Sequence, residues 1–382
     1  MSLRNWSVAA GAGLLTMGFA EAGLHTFAPV SLDPPSPTPG AMRVELRQEL
    51  PGLKELIVYE RNTYGLRTSA IIPGPKPPGV TRILCLGAST TDQATQNLED
   101  TWCSRLGVAL ETHGGPGGRF ETASFGRGGY RAVDLLAWAE DSVAAIQPDV
   151  VVLLLGINDL AFAGGPGYRY PGLDSTLARS RQLRDPRLRR TDEGSCGRRL
   201  CPPAFQICRR LILLKRGLRD SGEEGTSIEW HSANLPRLRE EYRRLPWSDR
   251  PSRDPDPAYE FRDAVDSLVA TLSARGIGTV LLGQPTLWSS DMSDVEQAAL
   301  WFGISTPQGK VRAPGAWLDG EVKRYNGLQE EVARAREMTY FDLGDRVPKS
   351  LEYFFDDCHF TDLASGLVAR DLAPVVAAAI RR

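Results

Sequence analysis

Net charge is almost absent from this 382-residue chain: 45 Lys plus Arg face 47 Asp plus Glu, a formal balance of -2. Nothing in the composition is disordered, collagen-like or coiled-coil in character, so an ordinary folded protein is expected. Lysine is scarce, at six of the 45 basic residues, a bias that a GC-rich genome explains without any function. The CxxC pair of a zinc knuckle is missing. Residues Trp6 to Ala20 carry no charge, but 15 residues fall short of the about 20 that cross a bilayer as a helix.

That short run fits the apolar core of an export signal. Arg4 precedes it, Glu21 follows it, Ala20-Glu21-Ala22 offers a small-x-small cleavage site, and Ser31 to Gly40 is Pro-rich. Residues 1–30 are therefore expected to be a signal peptide or an N-terminal membrane anchor, residues 31–43 a linker, and residues 44–382 the folded domain. The expected location is periplasmic, extracellular or tethered to a membrane. No Cys follows the run closely, so a lipoprotein-type anchor is not indicated. In an exported chain six cysteines can pair, in any of 15 ways. Cys196, Cys201 and Cys208 cluster and read first as disulfide partners; with His231 they would supply four zinc ligands, at a spacing unlike a knuckle. Cys85 lies in an apolar stretch and reads as core.

Beyond residue 78 strands alternate with helices. Strands are expected at Ile83 to Leu86, Phe120 to Phe125, Asp149 to Leu155, Gly278 to Leu282 and Thr339 to Leu343. Helices are expected at Thr101 to Thr112, Ala132 to Ala145, Asp263 to Arg275, Glu321 to Arg336 and Ala364 to Ile380. The continuous apolar run from Asp149 (DVVVLLL) marks a strand covered on both faces of a parallel sheet. The pattern predicts an α/β fold, a three-layer α/β/α sandwich around a five-stranded parallel sheet. More than a hundred residues separate the third and fourth strands, too many for one crossover, so an insertion is expected at about 161–260.

Ligands of such sheets bind beyond the carboxyl ends of the strands. The first strand runs into Gly87-Ala88-Ser89, the second into Gly126-Arg127-Gly128-Gly129-Tyr130, and the third into Gly156-Ile157-Asn158-Asp159. After the fifth come Asp356, Asp357, Cys358 and His359. A Ser hydroxyl needs a base within hydrogen-bond reach, normally a His oriented by a carboxylate, and Asp356 and His359 are spaced to face each other on one turn. An oxyanion needs donors, which the Ser89 N–H, a glycine N–H of the second loop and the Asn158 amide would supply.

In this order, each at a strand's end, these residues resemble the SGNH hydrolases, also called GDSL-like esterases, from about Arg82 to Ala369 outside the insertion. The resemblance carries the family's serine onto Ser89 (LGASTT), its glycine onto Gly129 (FGRGGYRA) ahead of Gly128, its asparagine onto Asn158 (LGIND) and its Asp-His pair onto Asp356 and His359. Pro148-Asp149, Gln284-Pro285 and Tyr325-Asn326 are further echoes. Ala88 replaces the Asp of the GDS form, Ser124 stands where many relatives have Asn, and Asp357 adjoins Asp356. The resemblance implies a flavodoxin-like sheet, hydrolysis of acyl esters through a covalent acyl-enzyme, an oxyanion hole of Ser89, Gly129 and Asn158, and no metal or organic cofactor. The expected partner is a small-molecule or glycan ester. An O-acyltransferase and a non-catalytic surface-binding module are the alternatives. His25, His113 and His231 are expected to be structural or exposed.

One local imbalance stands out: Arg179 to Arg219 holds 13 basic residues against three acidic ones, net +10 in a chain of -2. Within it Ala204 to Arg219 reads as a helix with Ile207, Leu211, Leu214 and Leu218 on one face. The plainer reading is a solvated helix packed on its own domain; the functional one is a cap rimming the ester site that meets an anionic substrate or membrane. The acidic balance elsewhere argues against a nucleic-acid partner.

Overall fold

The structure, a computed structural model, describes residues 42–380 apart from 63, 71, 73–75, 114–118, 163–168, 185–225 and 255. The expected export segment, the Cys196–Cys201–Cys208 cluster, the expected Ala204–Arg219 helix and nearly all of the expected linker lie outside these residues, as does the side chain of His231. The chain divides into two compact units, and the one described here comprises Pro39–Arg181 with Ile228–Arg382. It opens with an antiparallel hairpin of β1 (Met42–Arg47) and β2 (Leu56–Arg61), so Met42 and Arg43, expected in the linker, already belong to a strand.

Then the alternation begins: β3 (Val80–Gly87), the short helix α1 (Ser89–Asp92), α2 (Trp102–Thr112), β4 (Arg119–Gly126), α3 (Ala132–Ile146), β5 (Val150–Leu154) and the short α4 (Ile157–Ala161). The insertion contributes α5 (Leu173–Arg184) and α6 (Thr226–Arg244). After it come α7 (Ala258–Ser273), β6 (Gly278–Leu282), α8 (Asp294–Ala299), a small hairpin of β7 (Ile304–Thr306) and β8 (Gly309–Val311), α9 (Gly315–Ala335), β9 (Thr339–Phe341) and α10 (Asp362–Ile380).

The central sheet has five parallel strands in the order β4-β3-β5-β6-β9, the flavodoxin-like order. Every residue of β3 and β5 is buried, as expected of central strands covered on both faces, and β5 is apolar throughout. Helices α2 and α10 pack together, as do α3, α7 and α9, completing the three-layer α/β/α sandwich. By length and hydropathy α10 is apolar enough to cross a membrane, but Val368, Leu372 and Val376 are wholly buried, as in a core helix.

Charged Arg82 sits inside β3 without exposure because Glu121 and the Ile146 carbonyl take its guanidinium at 2.8 and 2.6 Å. Cys85 is core as expected, and it is also bonded to Cys103, tying β3 to α2. The sequence carries no mark of this pairing, which joins residues 18 apart in the chain.

Because β3 has β4 on one side and β5 on the other, the connections after β3 and β5 leave in opposite directions. The crevice at that switch point is where such sheets bind ligands, and Ser89 follows β3 directly. Close packing there forbids side chains at two glycines: a Cβ on Gly87 would lie 2.3 Å from the Leu154 carbonyl, and one on Gly126 would lie 2.3 Å from the Asp92 amide.

Candidate active site

Ser89 opens α1, a single turn whose carbonyl ends are gripped by Arg67. The Arg67 guanidinium, 2% exposed, donates to the carbonyls of Asp92, Gln93 and Gln96, the last two at 2.7 Å. A cation at the carboxyl end of a helical turn is favourable. Asp92, the last residue of the turn, accepts from Tyr59 at 2.9 Å and Arg61 at 2.7 Å, so the opening hairpin also holds the serine's turn. Burial pulls the Arg67 pKa down to about 10, opposed by the Asp92 carboxylate.

Opposite Ser89 lies His359, between β9 and α10. Its Nε2 is 2.8 Å from the Ser89 hydroxyl, and its Nδ1 is 2.8 Å from Asp356 Oδ2. An ionised carboxylate only accepts, so the neutral imidazole carries its proton on Nδ1 and leaves Nε2 to accept from the serine. Asp356 Oδ1 also accepts the backbone N–H groups of Cys358 at 3.0 Å and His359 at 2.9 Å, which curls residues 356–359 into one turn. Burial pushes the imidazole pKa down, yet the Asp356 carboxylate and the Cys358 thiol outweigh it and hold it well above the ordinary value. Asp356, Cys358 and His359 are close enough to share a metal ion, but both imidazole nitrogens are already committed, to Asp356 and to Ser89.

Asp357 faces away from His359. Its Oδ1 accepts the Trp288 indole N–H at 2.9 Å, and its Oδ2 accepts the Trp301 backbone N–H at 2.8 Å. Burial first, and the neighbouring Asp356 second, push its pKa up to about 7. Of two adjacent aspartates, only Asp356 reaches the imidazole.

Gly129 and Asn158 are linked through Tyr130. The Tyr130 N–H donates to the Arg127 carbonyl at 3.2 Å, closing a turn whose third residue, Gly129, has φ +77. Positive φ at the third position of a turn favours glycine. The Asn158 side-chain amide donates to the Tyr130 carbonyl at 2.8 Å, and Asp159 accepts the Ala132 N–H at 3.1 Å. The Asn-Asp pair thus clamps the second loop from both sides. Burial lifts the Asp159 pKa to about 7, against the pull of Arg131 and the Ala132 N–H.

His113 is exposed at the end of α2. A recess of about 870 Å³ lined by Asp149, Gly278 and Thr339 lies at the opposite, amino-terminal ends of the strands, away from this chemistry. Trp301, Trp288, Arg67 and Asp159 all hold the site in place, and of these only Asp159, beside Asn158, had a local sequence signal.

A parallel flavodoxin-like sheet here brings a serine, a histidine and an aspartate into one hydrogen-bonded chain, the arrangement of a serine hydrolase. Residues 85–245 match the sequence model of the GDSL-like Lipase/Acylhydrolase family. Among solved structures it is similar to an acetyl xylan esterase, AlAXEase, at 16% identity and TM-score 0.41, over 77% of this chain and 99% of that one. It is also similar to Est24, a carbohydrate acetylesterase from Sinorhizobium meliloti, at 14% identity and TM-score 0.39, over 78% and 99% of the two chains. Axe2, an acetylxylan esterase from Geobacillus stearothermophilus, in a catalytic mutant, gives 14% identity and TM-score 0.39, over 78% and 93%. No curated protein matches the chain by sequence.

Proposed function

We propose that this enzyme hydrolyses acyl esters through a covalent intermediate on Ser89, with His359 as general base and acid and Asp356 as the carboxylate that orients it. The observation that carries this reading is the unbroken chain from Ser89 Oγ through both nitrogens of His359 to Asp356. Attack of Oγ on the ester carbonyl sends the serine proton to Nε2. The imidazolium formed is stabilised by Asp356 and then protonates the departing alcohol. A water that gives its proton to the same nitrogen attacks the acyl-serine, releasing the acid and restoring the hydroxyl. The Ser89 N–H, the Gly129 N–H and the Asn158 amide are the proposed oxyanion donors. The Asn158 amide has two hydrogens, and the bond to Tyr130 uses one.

The proposed substrate is an acylated carbohydrate or a small acyl ester, met outside the cytoplasm if the Trp6–Ala20 run acts as an export signal. A panel of p-nitrophenyl esters of increasing acyl length, assayed with wild type and Ser89→Ala, tests the chemistry. Turnover by the wild type and its loss in the variant are expected; an inert wild type, or a variant that keeps its rate, would refute it. A sugar acceptor added to the same assay distinguishes transfer from hydrolysis by the acyl-sugar formed.

A further inference from the structure

Two tryptophans meet the paired aspartates from the segments between β6 and α9. Trp301 follows α8 and uses both of its N–H groups here. Its indole Nε1 donates to Asp356 Oδ2 at 2.9 Å, the oxygen that also accepts from His359 at 2.8 Å. Its backbone N–H donates to Asp357 at 2.8 Å, and Asp357 is fixed from the other side by Trp288 at 2.9 Å. The Trp301 ring lies within 7° of parallel to the His359 imidazole, with centroids 6.5 Å apart. Arg239, on α6 of the insertion, fastens the same segment: its Nε donates to the Ala299 carbonyl at 3.1 Å and its Nη2 to the Phe355 carbonyl at 2.8 Å. The residue before Asp356 and the residues before Trp301 are thereby joined by one guanidinium.

We infer that Trp301 is a positioning residue of this site: its indole N–H holds the Asp356 carboxylate in register with His359, and Asp357 is the anchor that holds Trp301. The inference rests on the proposed roles of Ser89, His359 and Asp356. Asp357 then has a purpose other than serving as a spare triad carboxylate. Hydrogen bonds to an ionised group are among the stronger ones, and one aimed at the triad carboxylate acts on both its orientation and its charge. An indole donor shares the charge that Asp356 otherwise presents to the imidazolium. Without it the imidazolium is better stabilised, so His359 stays protonated to higher pH. The other groups that bear on the imidazole or its carboxylate are Ser89, Cys358, Asp357, Arg239 and, through Asp357, Tyr242.

The test replaces Trp301 in two ways: Trp301→Phe, and incorporation at 301 of 3-benzothienylalanine, which keeps the fused ring and the backbone N–H and removes only the indole N–H. Hydrolysis of p-nitrophenyl acetate is followed against pH for both, beside wild type and Ser89→Ala. In the benzothienyl protein kcat/KM is expected to fall about ten- to a hundredfold, the scale of one charge-assisted hydrogen bond, with the acid limb of the pH profile moved upward. A wild-type rate and limb in that protein would overturn the inference, and so would a lower rate with an unmoved limb, which packing alone explains. If Trp301→Phe does not fold, the benzothienyl protein alone decides. An inert wild type, or an active Ser89→Ala, marks failure of the underlying reading instead.

Discussion

The two turns that meet at the candidate site are held by different kinds of structure. The Ser89 turn rests on the core of the fold: β3 beneath it is buried throughout, the Cys85–Cys103 disulfide ties that strand to α2, and Arg67 with the opening hairpin grips the turn from outside. The Asp356–His359 turn instead is held by segments outside the sheet: Trp288 and Trp301 between β6 and α9, and Arg239 from the insertion. The position of the proposed nucleophile is thus a property of the sandwich itself, whereas that of the proposed base depends on what has been added to it. The two supports use different side chains, although Gln93 and Gln96 behind the serine turn also reach Ser365 and Asp362 at the start of α10, so substitutions can weaken one more than the other.

The largest expected effect divides the base turn itself. Asp356→Asn should lower kcat on p-nitrophenyl acetate by about 10⁴-fold, because an amide no longer holds the imidazole in its productive tautomer. Asp357→Asn should stay within about tenfold of wild type, since it loses a hydrogen bond in the supporting layer and leaves the Asp356–His359 contact intact. Equal losses in both would mean that the two aspartates act as one unit. On the serine side Arg67→Ala should cost about 3 to 5 kcal/mol in urea unfolding, as it strips three buried carbonyls of their donor and leaves Asp92 with one cation fewer nearby. Removing the disulfide by Cys85→Ala with Cys103→Ala comes next, at up to about 3 kcal/mol for a bridge closing an 18-residue separation. If either change left stability untouched but abolished activity, the serine side would be less deeply rooted in the core than the packing implies.

The same contrast explains what was legible in the sequence. Periodicity and apolar runs located all five sheet strands and the helices α2, α3, α7, α9 and α10, because burial demands such residues, whereas the short α1, α4 and α8 and the insertion's α5 and α6 were not expected. Ser89, Asn158 and the Asp356–His359 pair were legible because each stands at a strand's end or within one turn, where spacing along the chain fixes spacing in space. Gly129 was preferred to Gly128 from the Gly-Tyr pair, and in the fold it holds the positive-φ position of its turn. Trp301 was not legible at all: it lies 55 residues from Asp356, and nothing local in its sequence says which carboxylate its indole meets. Nor was the pairing of Cys103, whose partner Cys85 lies 18 residues away on another element. Strands of period two and turns of four residues are written locally, and side chains reaching in from irregular segments are not.

The smallest expected effect is a slope, and it tests whether the base turn is anchored on a neutral or a charged Asp357. Burial, then the charge of Asp356, lifts its folded pKa to about 7, against about 3.9 for an unfolded aspartate. A raised carboxylate pKa means that the folded protein holds the proton more tightly. The stability Asp357 contributes is therefore fully present below about pH 4 and is lost as pH rises toward about 7. An asparagine does not titrate, so the difference in Tm between Asp357→Asn and wild type should shift steadily in favour of the variant between pH 4 and 7. His359 also loses its contribution as pH rises through its raised folded pKa, and because Asp356 and Cys358 remain in both proteins that loss largely cancels in the difference. Activity runs the other way: kcat/KM should rise with pH through that same pKa, because only the neutral imidazole can take the serine proton. A flat Tm difference would mean that Asp357 stays ionised under the N–H groups of Trp288 and Trp301, and the base turn would then rest on a buried charge.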